Sequence, residues 1–203
     1  MSYEVRLNKY NALLTPNELL TFMDENIHYG VYGKDQKLYL YDDDNFQQAC
    51  LKEYILSDKD RLLKYQYGTC WDQVELERDW FTRNHYEFKT IFIWFLFPYE
   101  NNYITHTYLV YKDKKTKEYC YFEHADFNNW GIHKFPTYKE AIEYQMRKHI
   151  EFNKQQGNVI NDEVLGHLVI YEFDNIKKGL NMEEYINHIL NSKVIYEKNN
   201  FCI

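Results

Sequence analysis

Tyr67-Gly68-Thr69-Cys70-Trp71-Asp72-Gln73-Val74-Glu75-Leu76-Glu77-Arg78 reads as a turn that runs into an amphipathic helix. The turn closes on Gly68, Thr69 is placed to cap, and Cys70 falls in the first helical turn. Trp71, Val74, Arg78 and Phe81 fall on or near one side, while Asp72, Glu75 and Asp79 are spread elsewhere, as a half-buried helix requires. The first turn of a helix carries unpaired N–H groups and a partial positive charge, and both favour an anion. A thiol at that address is favoured as the thiolate, the form that attacks a carbonyl. Cys70 is therefore the candidate nucleophile. Such a thiolate needs an imidazole to exchange protons with, and the imidazole needs an acceptor that fixes its tautomer.

Downstream of the helix, which fades near Arg83-Asn84-His85, the chain supplies candidates for both. Glu87 to Phe97 is rich in Ile, Phe and Trp and reads as a buried central strand, broken at Pro98-Tyr99-Glu100-Asn101-Asn102. Ile104 to Lys112 alternates as a second strand, turns around Lys114-Lys115-Thr116, and returns as Tyr119 to Glu123. In this hairpin His106 sits near the start of one strand and Glu123 at the end of its partner. Those ends lie side by side in an antiparallel pair, so the two side chains can meet if they share a face. Asp126 stands close behind Glu123 as the other carboxylate that could orient the ring. An oxyanion hole also needs donors: the N–H of Cys70 is one, and Gln66, just upstream, is the candidate for a second. Trp71 and Asp126 are candidates for the substrate cleft, although the place of Trp71 on the helix also suits core packing.

The flanks add ordinary elements. Thr15-Pro16-Asn17-Glu18 has the capping residue, proline and glutamate of a helix start, and Thr137-Tyr138-Lys139-Glu140 repeats the pattern. Tyr29 to Tyr41 reads as a hairpin, Phe46 to Leu56 and a segment opening at Ser57-Asp58 as helices, Asp126 to Pro136 as a loop, Val164 to Phe173 as a strand, and Asn181 to Leu190 as a last helix. Asp42-Asp43-Asp44 lacks the spacing of a calcium loop. His124, His133 and Cys120 form no close ligand pair, so neither a metal nor another cofactor is expected. No repeat or linker stands out. One α+β domain over residues 1–203 is expected: an antiparallel sheet packed against the Cys70 helix, with a core of about residues 57–150 and embellishments at both ends.

Composition narrows the partners. Of 203 residues 45% are hydrophobic and 19% aromatic, too apolar for a disordered chain. The formal charge of −7 argues against nucleic acid, which is bound through Lys and Arg. Ile91 to Phe97 is too short to span a bilayer. Cys50, Cys70, Cys120 and Cys202 are widely spaced, with no C-x-x-C pair, so free thiols in a reducing cytoplasm are expected. The Tyr-, Asn- and Lys-rich composition suits an AT-rich bacterial or phage genome.

Taken together, Gly68-Thr69-Cys70-Trp71, Thr105-His106-Thr107-Tyr108 and Tyr121-Phe122-Glu123-His124 resemble the transglutaminase-like superfamily of papain-fold thiol enzymes. That family opens a helix with Gly-x-Cys-Trp, starts a strand with His and ends the next strand with an acid, usually Asp where this chain has Glu123. The resemblance covers about residues 64–123. It implies Cys70 as nucleophile, His106 as general base and acid, and Glu123 (or Asp126) as the orienting carboxylate. The implied activity is acyl transfer at an amide bond of a protein or peptide, with hydrolysis by a peptidase or deamidase favoured over cross-linking. The alternative is a non-catalytic binding module of the same fold, such as a phage-encoded inhibitor of a host protein.

Overall fold

The computed structural model describes residues 1–97, 102–174, 176–197 and 200–201; the expected break at Pro98-Tyr99-Glu100-Asn101, and Cys202, lie outside them. Along the chain run α1 (Tyr3–Ala12), α2 (Pro16–Asn26), β1 (His28–Tyr32), β2 (Leu38–Leu40), α3 (Phe46–Lys52), α4 (Lys59–Tyr65), β3 (Tyr67–Gly68), α5 (Cys70–Arg83) and β4 (Phe88–Phe97). There follow β5 (Asn102–Lys112), β6 (Tyr119–Glu123), β7 (Gly131–Phe135), α6 (Tyr138–Gln155), α7 (Asp162–Leu165), β8 (Leu168–Phe173), α8 (Met182–Leu190), β9 (Lys193–Glu197) and β10 (Asn200–Phe201). The class is α+β, as expected. Two compact units are woven from alternating segments: residues 1–85, 123–131 and 175–188 in the first, and 86–122, 132–174 and 189–203 in the second.

The first unit is helical, with one small mixed sheet. In α2 the Thr15 hydroxyl accepts from Glu18 N at 3.3 Å, and the Glu18 carboxylate accepts from Thr15 N at 3.0 Å. That reciprocal cap, with Pro16 opening the helix, is what the sequence announced. Its apolar face buries Leu19, Leu20, Phe22 and Met23. Helix α1 carried no such signal, because only Arg6 and Tyr10 are buried and no apolar stripe forms. β1 and β2 make the expected hairpin (Gly30 opposite Leu40), and β1 also pairs parallel with β3 (Tyr29 opposite Gly68). Helix α3 stops at Lys52 rather than running to Leu56. Beyond it Tyr54 and Leu56 are buried, and Leu56 N donates to Leu180 O at 2.8 Å. Tertiary burial of an extended segment thus overrides the helical pattern there.

The second unit is a sheet in the order β10-β9-β8-β4-β5-β6-β7, antiparallel from β10 through β6. β4 and β5 pair along their length, from Phe88 opposite Tyr111 to Phe97 opposite Asn102. Ile91, Ile93, Phe95, Tyr108, Val110 and Tyr121 form a core with Ala141 and Ile142 of α6. Two expectations are corrected here. Val164 to Phe173 is not all strand: Asn161 caps Val164 N at 3.0 Å and folds the first residues into α7, so the strand begins at Leu168. The loop from Asp126 to Pro136 contains β7, whose five residues are all partly exposed, so no apolar alternation marks it.

Candidate functional site

Cys70 is the first residue of α5 and is 5% exposed. Its position is set by the buried carboxylate of Asp72. That group accepts from Thr69 N at 2.8 Å, Thr69 Oγ1 at 3.0 Å, Ser57 N at 2.7 Å and the Tyr54 hydroxyl at 3.1 Å. Burial pushes the Asp72 carboxyl up in pKa, and the donors from Ser57 and Thr69 oppose it. Gly68 is required by close approach: a Cβ there would come within 2.7 Å of Asp72 Cβ and of Leu62 Cδ1. Across the β1–β3 pairing, Tyr29 brings its hydroxyl beside the Cys70 sulfur. Burial, then the thiols of Cys70 and Cys50, push that phenol well above its ordinary pKa. Cys50 is itself pushed up to about 11, by burial first and then by Asp72 and Cys70.

The other expected residues divide between the units. Trp71 is 8% exposed, stacks on Tyr185 (4.4 Å, 12°) and meets Tyr54 edge-on. Gln66 ends α4 with a left-handed backbone (φ 67), and its amide donates to Asn26 O at 2.9 Å. Glu123, 2% exposed, ends β6 and accepts from Asp126 N at 2.8 Å. The Asp126 carboxylate in turn accepts from Asn128 N at 3.0 Å and from Asn129 Nδ2 at 2.7 Å. Cys70, Trp71, Gln66, Glu123 and Asp126 all belong to the first unit, and the structure joins Glu123 to Asp126 directly.

His106 belongs to the second unit, on β5 opposite Ile93, and is 7% exposed. Its ring lies over His149 of α6 (6.2 Å, 16°) and beside Tyr108 (5.9 Å, 17°). Burial, with His106 adding, drives the His149 pKa down to about 3. The pairing of β5 with β6 begins at Leu109 opposite Phe122, three residues after His106 and one before Glu123.

Three features escaped the sequence reading. Tyr29 faces Cys70 only because β1 pairs with β3, and a two-residue strand leaves no pattern. Gln73, 1% exposed, donates from Nε2 to Gly68 O at 3.0 Å and turns Oε1 to His124 Nδ1 at 2.6 Å. Its spacing from Cys70 was visible; its partner, beyond two strands, was not. His149 was marked only by lying on the buried stripe Ala141, Gln145, His149, Asn153.

Among the described residues, no group of three or more His, Cys, Asp and Glu side chains is arranged to hold a metal. Among the same residues, no helix is long and apolar enough to cross a membrane. Cys50, Cys70 and Cys120 are free thiols. Comparison of the chain with protein-family models, with curated proteins and with solved structures finds no match.

Proposed function

We propose that this chain is a thiol enzyme of the transglutaminase-like, papain-fold kind, acting on an amide bond of a protein or peptide. The observation that carries the reading is the seat of Cys70: first residue of a 14-residue helix, held by a carboxylate with four donors on it. A nucleophile must be held still relative to its donors, and that seat supports the role. In the reaction the Cys70 thiol gives up its proton to a general base, the role proposed for His106, and the thiolate sulfur bonds to the amide carbon. The tetrahedral oxyanion lies towards the N–H of Cys70. His106 returns the proton to the leaving nitrogen, the C–N bond breaks, and a thioester remains. Water, deprotonated by His106, attacks the thioester. The carboxylic acid leaves and the thiol is restored. The orienting carboxylate is the role proposed for Glu123, which the Asp126 N–H steadies.

The test is alkylation by iodoacetamide at pH 7, mapped by mass spectrometry. Cys70 should react faster than Cys50, whose thiol is pushed up to about 11. His106→Ala should slow Cys70 by about tenfold or more without slowing Cys50. A Cys70 rate indifferent to His106→Ala would overturn the enzyme.

One observation favours the second reading, a binding module. Asp126 holds a loop that leaves Phe127 79% and Trp130 45% exposed, and aromatic tips on a fixed loop suit protein contact. On that reading Cys70→Ala would leave partner binding intact, whereas turnover would not survive it.

A further inference from the structure

We infer that Gln73 and His124 are positioning residues for Cys70, joined in a hydrogen-bonded chain that ties the nucleophile's turn to the end of β6. The inference rests on the thiol reading above but concerns residues that reading does not use. Gln73 Nε2 is committed to the Gly68 carbonyl, so the atom turned to His124 is Oε1, an acceptor. His124 Nδ1 therefore donates, at 2.6 Å. Gly68 lies two residues before Cys70 and Gln73 three after it. The Gln73 amide thus closes a ring of chain that has Cys70 inside it. At the other end His124 follows Glu123 directly, and Glu123 holds Asp126 N.

The arrangement is more than a satisfied polar residue in a helix. Gln73 is almost wholly buried, and an apolar side chain of similar length would leave the Gly68 carbonyl and the His124 Nδ1–H without their partner. What the amide adds is direction: it fixes the Gly68 carbonyl, and with it the peptide that leads into Thr69 and Cys70. The groups that face His124 are Gln73 on α5, Asp24 and the Met23 carbonyl on α2, His28 on β1 and the adjacent Glu123. Burial lowers the His124 pKa, and Glu123, Asp24 and the Met23 carbonyl oppose it.

The test compares Gln73→Met and His124→Phe, which remove the bond, with His124→Asn, whose amide can still donate towards Gln73. Each is compared by far-UV circular dichroism and then by the rate of Cys70 alkylation by iodoacetamide from pH 6 to 9. Gln73→Met and His124→Phe should slow Cys70 by about tenfold and move its pH profile, leave Cys50 unchanged, and be largely rescued in His124→Asn. A folded Gln73→Met or His124→Phe protein with the parent's Cys70 rate and profile would overturn the inference. Should Gln73→Met fail to fold, the pair His124→Phe and His124→Asn decides alone. The thiol reading fails separately, through an unaltered Cys70 rate in His106→Ala.

Discussion

Asp72 shows how one side chain can both build and aim a site. Its carboxylate ends two backbone N–H groups and two hydroxyls that have lost water, and it does so at the residue next but one to Cys70. Asp72→Ala would strand those donors in the interior, at about 1–3 kcal/mol for each group left unsatisfied and part of that recovered by relaxation. We expect a loss of about 3 kcal/mol or more, read as a fall in the urea midpoint with unchanged slope. Asp72→Asn, which keeps one acceptor, should fall between. A variant as stable as the parent would mean that the carboxylate is not the organiser of this turn. At this scale the sequence was most legible where neighbours in the chain do the work. The helix start at Cys70, the turn at Gly68 and the cap at Thr69 are all local. It was least legible where a partner arrives from far away: Ser57 and Tyr54 on Asp72, Tyr29 on Cys70, and His124 on Gln73.

Helix α6 carries the same lesson one level up. Thr137 and Glu140 announced its start, but its buried stripe runs Ala141, Gln145, His149, Asn153, so polarity alone would have turned that face to solvent. The stripe is buried because α6 packs on the sheet, and His149 meets His106 there. A consequence for acid stability follows. The unfolded chain titrates His149 near 6.5, whereas the folded ring titrates at about 3. Between these values the unfolded state binds the extra proton. This stabilisation is therefore complete above 6.5 and is lost as pH falls towards 3. From pH 7 to pH 5 the loss is about 2 kcal/mol, a figure that needs only a folded pKa well below 5. Asp72 and Glu75, both raised mainly by burial, act in the opposite sense, since their contribution is lost as pH rises through the carboxylate range. The comparison must therefore be between proteins. His149→Phe, which keeps a ring beside His106, should lose less stability than the parent between pH 7 and pH 5. Parallel curves for the two would remove His149 from the account. Elements without a periodic apolar face, such as α1 and β7, stayed hidden for the converse reason: nothing local distinguishes them from loops.

At the scale of the whole molecule the decisive fact is that neither compact unit is one continuous piece of chain. The first unit takes residues 175–188 from the far end, and the second takes the two strands at one edge of its sheet from residues 189–203. The sequence reading treated both ends as embellishments of a core near residues 57–150, because long-range pairing such as Thr90 opposite Phe173 leaves no local trace. The structure gives the C-terminal segment three separate tasks. Tyr185 stacks on Trp71, the residue after Cys70; Leu180 O accepts from Leu56 N; and β9 covers the edge of β8, with Tyr196 opposite Ile170. A chain ended at Asp174 loses all three and leaves β8 as a bare apolar edge, a template for association. We expect that truncation to lose cooperative urea unfolding, with tryptophan fluorescence and far-UV circular dichroism no longer changing together. A chain ended at Glu197 keeps Tyr185, Leu180 and β9, and it should unfold in one transition close to the parent's. If the chain ended at Asp174 unfolded as sharply and at the same urea concentration as the parent, the C-terminal segment would be an appendage after all. The seat of Cys70 would then have to be explained without Tyr185 behind Trp71.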